Sequence, residues 1–412
     1  MSSDIVQVNT CEVCGNTSLV TVLDLGYHPM CDDLIRNGSS EVCREYPIEI
    51  LLCRGCLTAH QRFQIPKREL FPLTYHYRAR FTADVLNGMA DLANQCEDRY
   101  GDLGGKKVLD IGCNDGSLLD CFKRKGAITL GIEPTGAEEE AKQKGHQTYN
   151  TFFDLDIAGR ILATYGKFDF ITFTNVFAHI ENLAEVIASL KLLIDTNTVI
   201  VIENHYLGAV LDGNQFDTFY HEHPRTYSYT SFVHIAKSLG VTILSVEFPK
   251  RYGGNIRVFM GNQGCELHVP GMQDLVKKEE SIPERFSLLE HHVEQWKQNK
   301  SKIIDQLVRS YGKLPAKAFP GRAAILVKIL GLTEDSISAV YEKPGSLKIG
   351  YYVPGTRIPI LSDDILFQSQ NSNKPVLNLA WHIAGEIRRY MLDKGYQGEV
   401  VDIIDKNDFG GS

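Results

Sequence analysis

The sequence predicts an α/β protein in three parts: a small metal-binding head, a central sheet of mostly parallel strands wrapped by helices, and a second, smaller α/β domain. Three observations carry that prediction. Two Cys-x-x-Cys pairs stand within the first 56 residues. From about residue 80, helical patterns alternate with short apolar strands, one of which runs through a glycine-rich turn into a helix, the order that builds parallel sheets. After Gly264 the composition turns charged, and a second alternation of short strands and helical patches follows. The parts are placed at residues 1–78, 79–270 and 271–412.

The chain has 412 residues, 43% of them hydrophobic, which is ample material for separate cores without covalent staples. A formal net charge of −8 weighs against a non-specific nucleic-acid binder, because counterion release needs clustered Lys and Arg on one face. A small or nucleotide-sized substrate is expected instead. The opening MSSDIVQVNT has neither a basic stretch nor an apolar one, and no later apolar run approaches bilayer length. The expectation is a soluble, cytoplasmic monomer or weak dimer with no membrane and no nucleic-acid partner.

In the head, Cys11 and Cys14 stand in CEVCG, and Cys53 and Cys56 in CRGC. A Cys-x-x-Cys turn lets two thiolates approach one tetrahedral zinc, and a second pair completes a closed four-sulfur shell with no position left for water. That points to a structural zinc rather than a catalytic one; buried or redox cysteines are the alternative. Cys31 and Cys43 lie between the pairs, lack a Cys-x-x-Cys partner, and are read as packing residues.

The central part opens with FTADVLNGMADLANQCEDRY, an amphipathic helix, followed by GGKKVLDIGCNDGSLLDCF, which reads as strand, glycine loop, helix. A parallel strand ending in Asp110, then Gly112, Asn114 and Gly116 before an apolar helix, lets backbone N–H groups approach a ligand closely. The spacing is neither the GxGxxG of dinucleotide folds nor the GxxxxGK[ST] that holds a triphosphate. The next strand, ITLGIEP, ends in Glu133, about twenty residues on, where an acid can bind both hydroxyls of an adenosine ribose. KFDFITFTN is a nearly continuous apolar strand ending at Asn175, and FAHIENL leads into a helix. TVIVIENHY supplies a strand ending at Glu203, and VTILSVEFPKRYGGNIRVFMG reads as a final hairpin with Gly253 and Gly254 in its connection. These six strands are read as part of a seven-stranded sheet.

The stretch FDTFYHEHPRTYSYTSF places Tyr220, His221, Glu222 and His223 side by side. From the residues alone it is a metal site, a general base or an aromatic loop. As a metal site it is weak, since HEH brings alternate side chains together only when extended and offers no third ligand nearby.

Taken in order, CEVCG with CRGC, LDLGYHPM, VLDIGCNDG, NVFAHIENL, FYHEH, YGGNIRVFM, YVPGTRIPI and LNLAWHIAGEI resemble the bacterial sugar C-methyltransferases that act on nucleotide-linked deoxyketosugars. The resemblance covers nearly the whole chain. It implies an N-terminal zinc domain, a central class I methyltransferase domain of Rossmann-like form that binds S-adenosylmethionine, and a C-terminal Rossmann-like domain. It implies that Asp110, Gly112, Asn114, Gly116, Glu133 and Asn175 bind the methyl donor, and that Tyr75, His179 and Glu203 face the sugar nucleotide. In the absence of that resemblance His179 and Glu203 read as ordinary caps. It further implies that His223 is the base that removes a proton beside the sugar ketone, with Tyr220 bonding the enolate and Glu222 orienting the imidazole. An imidazole suits the task because its unperturbed pKa lies near neutrality. Methyl transfer to a hydroxyl, and a zinc- and donor-binding protein without turnover, are the alternatives.

The chain departs from the family pattern in two places. FPGRAAILVK, around Gly321, replaces a glycine-rich turn, and Pro224, Arg225 and Thr226 follow His223 where relatives place an apolar residue and a tyrosine. Beyond Gly264, PERFSLLEHHVEQWKQNKSKIIDQLVRSYGK puts Phe286, Leu289, Val293 and Trp296 on one helical face. GRAAILVKI, ISAVYEK, IPIL, KPVLNLA and GEVVDII read as short strands, and KNDFGGS as a mobile tail.

Overall fold

The computed structural model describes residues 5–81, 83–262, 271–368 and 373–409. Its early strands are β1 (Val6–Gln7), β2 (Leu19–Pro29), β3 (Glu45–Cys53), β4 (Ala59–Gln61) and β5 (Phe63–Gln64). Next come β6 (Lys107–Ile111), β7 (Ile128–Ile132), β8 (Gln147–Tyr149), β9 (Phe170–Thr174), β10 (Val199–His205), β11 (Arg225–Thr226), β12 (Thr242–Glu247) and β13 (Asn255–Gly261). The last five are β14 (Leu314–Lys317), β15 (Ile337–Glu342), β16 (Ile360–Ser362), β17 (Val376–Asn378) and β18 (Val400–Asp402). No helix of the described residues is long and apolar enough to cross a membrane.

The chain forms two compact units. One is made of Met1–Thr21, Leu51–Gly213 and Glu222–Pro283; the other of Val22–Ile50, Asn214–His221 and Glu284–Ser412. Most of the residues between the two cysteine pairs, Val22–Ile50, therefore cluster with C-terminal residues rather than with the cysteines that flank them.

In the first unit, seven strands run in the order β12-β13-β10-β9-β6-β7-β8. β6 to β10 are parallel, and β13 is antiparallel to both of its neighbours. The chain proceeds from β6 outward to β7 and β8 and then returns to β9 on the other side. The order reverses there, and a ligand crevice lies at the carboxyl ends of the strands at such a point. β9 and β10 are apolar almost throughout because both faces are covered: Phe170, Ile171 and Phe173, and Val199 to Ile202, are all buried. The helices Leu183–Leu193 and Tyr229–Leu239 pack into one of these cores. The first is capped by Asn182, which accepts from the Glu185 N–H, and the second by a reciprocal Ser228–Ser231 box.

The expected strands are present, with two differences that bear on the site. β8 was not legible, being three residues of mixed character. β10 continues two residues past Glu203, to His205. A smaller sheet in the order β11-β4-β3-β2 carries the second cysteine pair at the end of β3.

The second unit holds five parallel strands in the order β16-β15-β14-β17-β18. The run AAILVKI, expected to be a strand, is the helix Ala323–Ile329, with Ala323 to Val327 buried. A short apolar run has no period that separates a buried strand from a buried helix. The strand that takes its place is β14, read over in the sequence because LPAK puts Pro315 in a central strand. The structure accommodates it with a register shift between Leu314 and Pro315. Helix Ile282–Tyr311 buries Phe286, Leu289 and Trp296, with Val293 half-buried. The expected mobile tail is ordered through Phe409, in a turn that buries Asp408 and Phe409, and its last three residues lie outside the described ones.

Candidate active site and zinc centre

The four cysteines of the two pairs converge. Cys11 Sγ lies 3.4 Å from Cys56 Sγ, and Cys14 Sγ lies 3.6 Å from Cys53 Sγ, with all four sulfurs within 4.8 Å of one another. Four thiolates bound tetrahedrally at the usual Zn–S length stand about 3.8 Å apart, so the cluster is preformed to that size. The sulfurs have partners of their own: His60 Nε2 is 3.3 Å from Cys11 Sγ, and the Gly55 N–H points to Cys53 Sγ at 3.4 Å. Cys31 is buried and Cys43 accepts from the Gly355 N–H, so neither joins the cluster. HEH forms no such group among the described residues.

At the carboxyl end of β6 the glycine loop turns sharply. Gly112, Asn114 and Gly116 have φ of 75°, 49° and 75°. A side chain at Gly112 would meet Val176 at 2.4 Å, so glycine is required both by conformation and by room. The Asn114 N–H donates to Glu133 Oε2 at 3.0 Å, while the Thr135 N–H and hydroxyl donate to Oε1 at 2.9 and 2.6 Å. Asp110 is buried and accepts from the Thr172 hydroxyl at 2.7 Å; burial pushes its carboxyl up to about 7. Burial raises Glu133 as well, against the donors that favour its ionised form.

A stretch of which the sequence singled out only Tyr75, Tyr75–Arg80, spans from this loop to the YHEH segment. The Asn114 side chain accepts from the Ala79 N–H at 3.0 Å and donates to the Tyr77 carbonyl at 3.2 Å, and Asp115 accepts from the Arg80 N–H at 3.0 Å. At the other end Tyr75 donates its hydroxyl to Glu222 Oε2 at 2.8 Å.

Around Glu222 the imidazoles gather. His179 Nδ1 donates to the Glu222 carbonyl at 2.5 Å, which assigns its proton to that nitrogen. The His223 ring lies 4.9 Å from that of His179 and 5.2 Å from that of His205, and Phe71 packs edge-on against His179 at 5.2 Å. His205, Glu222 and His223 are buried, and desolvation holds His179 below its ordinary pKa, hence neutral near pH 7. His179 ends the short turn Phe177–His179, just beyond the Val176 that faces Gly112, so the imidazoles stand next to the glycine loop.

Not every expected residue joins them. Glu203 is fully buried and clamped: Arg251 Nε and Asn255 Nδ2 donate to Oε1, each at 2.9 Å, and Arg257 Nε donates to Oε2 at 2.8 Å. Asn255 also reaches Asn175 Oδ1 at 3.2 Å, and Asn175 takes φ 54° and donates its N–H to the Glu203 carbonyl. Tyr220 and His221 belong to the second unit. There His221 donates to the Tyr46 carbonyl at 3.1 Å, and burial lowers its pKa to about 4. The residue that the sequence reading missed is His205, because the strand was ended at Glu203.

Residues 11–71 match a family model described as a zinc binding domain, 76–246 one described as a methyltransferase domain, and 250–400 one described as a C-methyltransferase C-terminal domain. Along nearly its full length the chain is similar to the C-methyltransferase NovU of Streptomyces niveus, at 27% identity over 394 residues, 93% of this chain and 92% of that one. The three matches follow one another in the order that the resemblance to the C-methyltransferases implies. A shorter similarity, 31% over 117 residues, joins 26% of this C-methyltransferase to the ubiquinone biosynthesis O-methyltransferase of Haemophilus ducreyi; it takes in about half of that relative, 49%. Among solved structures, magnesium protoporphyrin IX methyltransferase of Synechocystis PCC 6803 with bound SAH aligns with 43% of this chain and 83% of its own, at 20% identity and a TM-score of 0.34.

The C-methyltransferase uses S-adenosylmethionine, and its four-cysteine cluster is a structural zinc site. The residues present fit both groups. The sulfur cluster has the size of a zinc tetrahedron, and the sharp loop at Gly112 brings bare backbone to the strand ends at the point where the sheet order reverses.

Proposed function

We propose that this C-methyltransferase methylates the carbon next to the ketone, C-3′, of a nucleotide-linked 4-keto deoxysugar, and that His223 forms the enolate. The observation that carries the reading is the group of three imidazoles beside the glycine loop, with the buried His223 between the half-buried His179 and the buried His205. A ketone acidifies the neighbouring C–H, and a neutral imidazole is the side chain best matched to take that proton near pH 7. His223 accepts the proton; His179, neutral and with its Nδ1–H committed to the Glu222 carbonyl, adds no positive charge beside it before the proton arrives. Tyr75 holds the Glu222 carboxylate, which orients the segment that carries the base. Bound S-adenosylmethionine supplies an electrophilic methyl group. Asp110, Gly112, Asn114, Gly116, Glu133 and Asn175 are assigned to its binding, and Tyr75 and His179 to the sugar nucleotide. Glu203, enclosed by two arginines, is assigned to holding Arg251 and Asn255 rather than to direct contact with sugar.

The test offers methyl-labelled donor with uridine and thymidine diphosphate 4-keto-6-deoxyglucose, and locates the label by NMR. Label on carbon, with donor-independent exchange of the adjacent C–H in deuterium oxide, is the expected result. Label on oxygen with no exchange at carbon would reassign the enzyme to hydroxyl methylation.

A further inference from the structure

The Pro-Arg-Thr sequence that follows His223, where the family pattern differs, is bonded to both zinc knuckles. The Gln61 N–H donates to the Pro224 carbonyl at 2.8 Å, and β11 pairs antiparallel with β4, Arg225 opposite His60 and Thr226 opposite Ala59. β4 begins three residues after Cys56. The hydroxyls of Ser228 and Ser231 both lie 3.3 Å from the Cys56 carbonyl, and Thr58 Oγ1 is 2.8 Å from Ser231 Oγ. The second knuckle thus grips the backbone that leaves the base.

The first knuckle is reached through one side chain. Arg225 is fully buried; its guanidinium binds the carboxylate of Glu12, which sits between Cys11 and Cys14, and the carbonyl of Ile180, the residue after His179. Its Nε donates to the Tyr227 hydroxyl at 3.0 Å. A single rigid fork therefore joins the first cysteine pair to the main chain beside both His179 and His223. Zinc bound to the four thiolates fixes the two knuckles relative to each other, and with them Glu12 and β4.

We propose that Arg225 is a positioning residue, through which the zinc centre sets the mutual placement of the His179 and His223 imidazoles. The proposal rests on the reading of His223 as the base. Lysine in its place would keep the charge opposite Glu12 but has no planar fork to reach the Ile180 carbonyl and Tyr227 as well. Glu12 also accepts from Gln64 Nε2 at 2.8 Å, so it keeps a partner when Arg225 changes.

The experiment compares zinc-loaded wild type, Arg225→Lys and, as a second probe, Glu12→Gln, by four measurements. These are zinc content, calorimetric S-adenosylmethionine affinity, histidine side-chain NMR with His179 and His223 assigned, and kcat and KM on the diphosphate ketosugars named above. The expected result for Arg225→Lys is retained zinc, donor affinity and KM within about two-fold, shifted His179 and His223 resonances, and kcat down by about 10- to 100-fold, as for a small misplacement of a reacting group. Unshifted resonances with wild-type kcat would overturn the proposal. So would donor affinity lost in proportion to kcat, which marks general loosening. If Arg225→Lys loses zinc or fails to fold, unshifted resonances in Glu12→Gln overturn it and shifted ones support it. If wild type transfers no methyl to either sugar, the functional reading fails separately, and the resonances still decide whether the knuckles position the histidines.

Discussion

At the scale of single residues, the candidate base is defined by what surrounds it. His223→Ala should keep donor affinity and lose roughly 10²- to 10⁴-fold in rate, the usual worth of a positioned base, with deuterium exchange falling in step. Stopped-flow turnover and exchange measured on one preparation check this. A fully active variant would move the role to His179 or His205. His221→Ala should leave exchange nearly unchanged, because that imidazole is committed to the Tyr46 carbonyl. A different test applies to Asp110. Its folded pKa, about 7, lies above an unfolded value near 3.8, so the fold favours the protonated carboxyl. The associated stability is complete below about pH 4 and is lost as pH rises toward 7. Asp110→Asn keeps the Thr172 hydrogen bond without an ionisable group. Urea unfolding across that window should show wild type losing stability relative to the variant as pH increases; parallel curves would remove Asp110 as the source.

At the scale of elements, the decisive features are ends rather than middles. Continuing β10 from Glu203 to His205 brings a third imidazole to the cluster, and ending β9 at Thr174 leaves Asn175 in the left-handed turn that meets Glu203. The glycine loop has the same logic: Gly112→Val would drive a branched side chain into Val176 and force a left-handed φ on it. Calorimetry should show S-adenosylmethionine binding abolished or weakened by at least about ten-fold, while Glu133→Ala should cost about 1–3 kcal/mol of binding if its carboxylate holds the ribose. The zinc knuckles form the other element. Elemental analysis should find about one zinc per chain, and Cys53→Ser should lower thermal stability and solubility before it touches donor affinity. Metal-free protein with an unchanged melting temperature would dismiss the site as a structural zinc centre.

At the scale of the whole molecule, the chain passes repeatedly between its two units, so that neither is a continuous segment. S-adenosylmethionine at 100 times its Kd should stabilise the native state by about 2.7 kcal/mol if it binds only the folded form, and Gly112→Val should show none of that gain. Denaturation with and without donor reads the difference directly.

What the sequence by itself determined is whatever its local spacing encodes. The doubled Cys-x-x-Cys pattern specifies a four-sulfur site because two short turns can do little else with four thiolates in a shell that small. A strand, GCNDG, an apolar helix and an acid about twenty residues on specify the glycine-loop half of the sheet, because the loop needs positive φ at those glycines wherever it is built. Where the period was too short or a rule was broken, the reading went astray: AAILVKI is a helix, LPAK a central strand, and QTY the seventh strand of the main sheet. Only the tertiary structure decided how the polar residues divide. Glu222 meets Tyr75, 147 positions away, and Arg225 meets Glu12, 213 away. His179 and His205 converge on His223 from separate elements, while Glu203 is taken up by arginines and His221 by Tyr46. The partner of a buried polar group is set by which strand ends the sheet brings together, and sheet order is a property of the folded chain rather than of any window of its sequence.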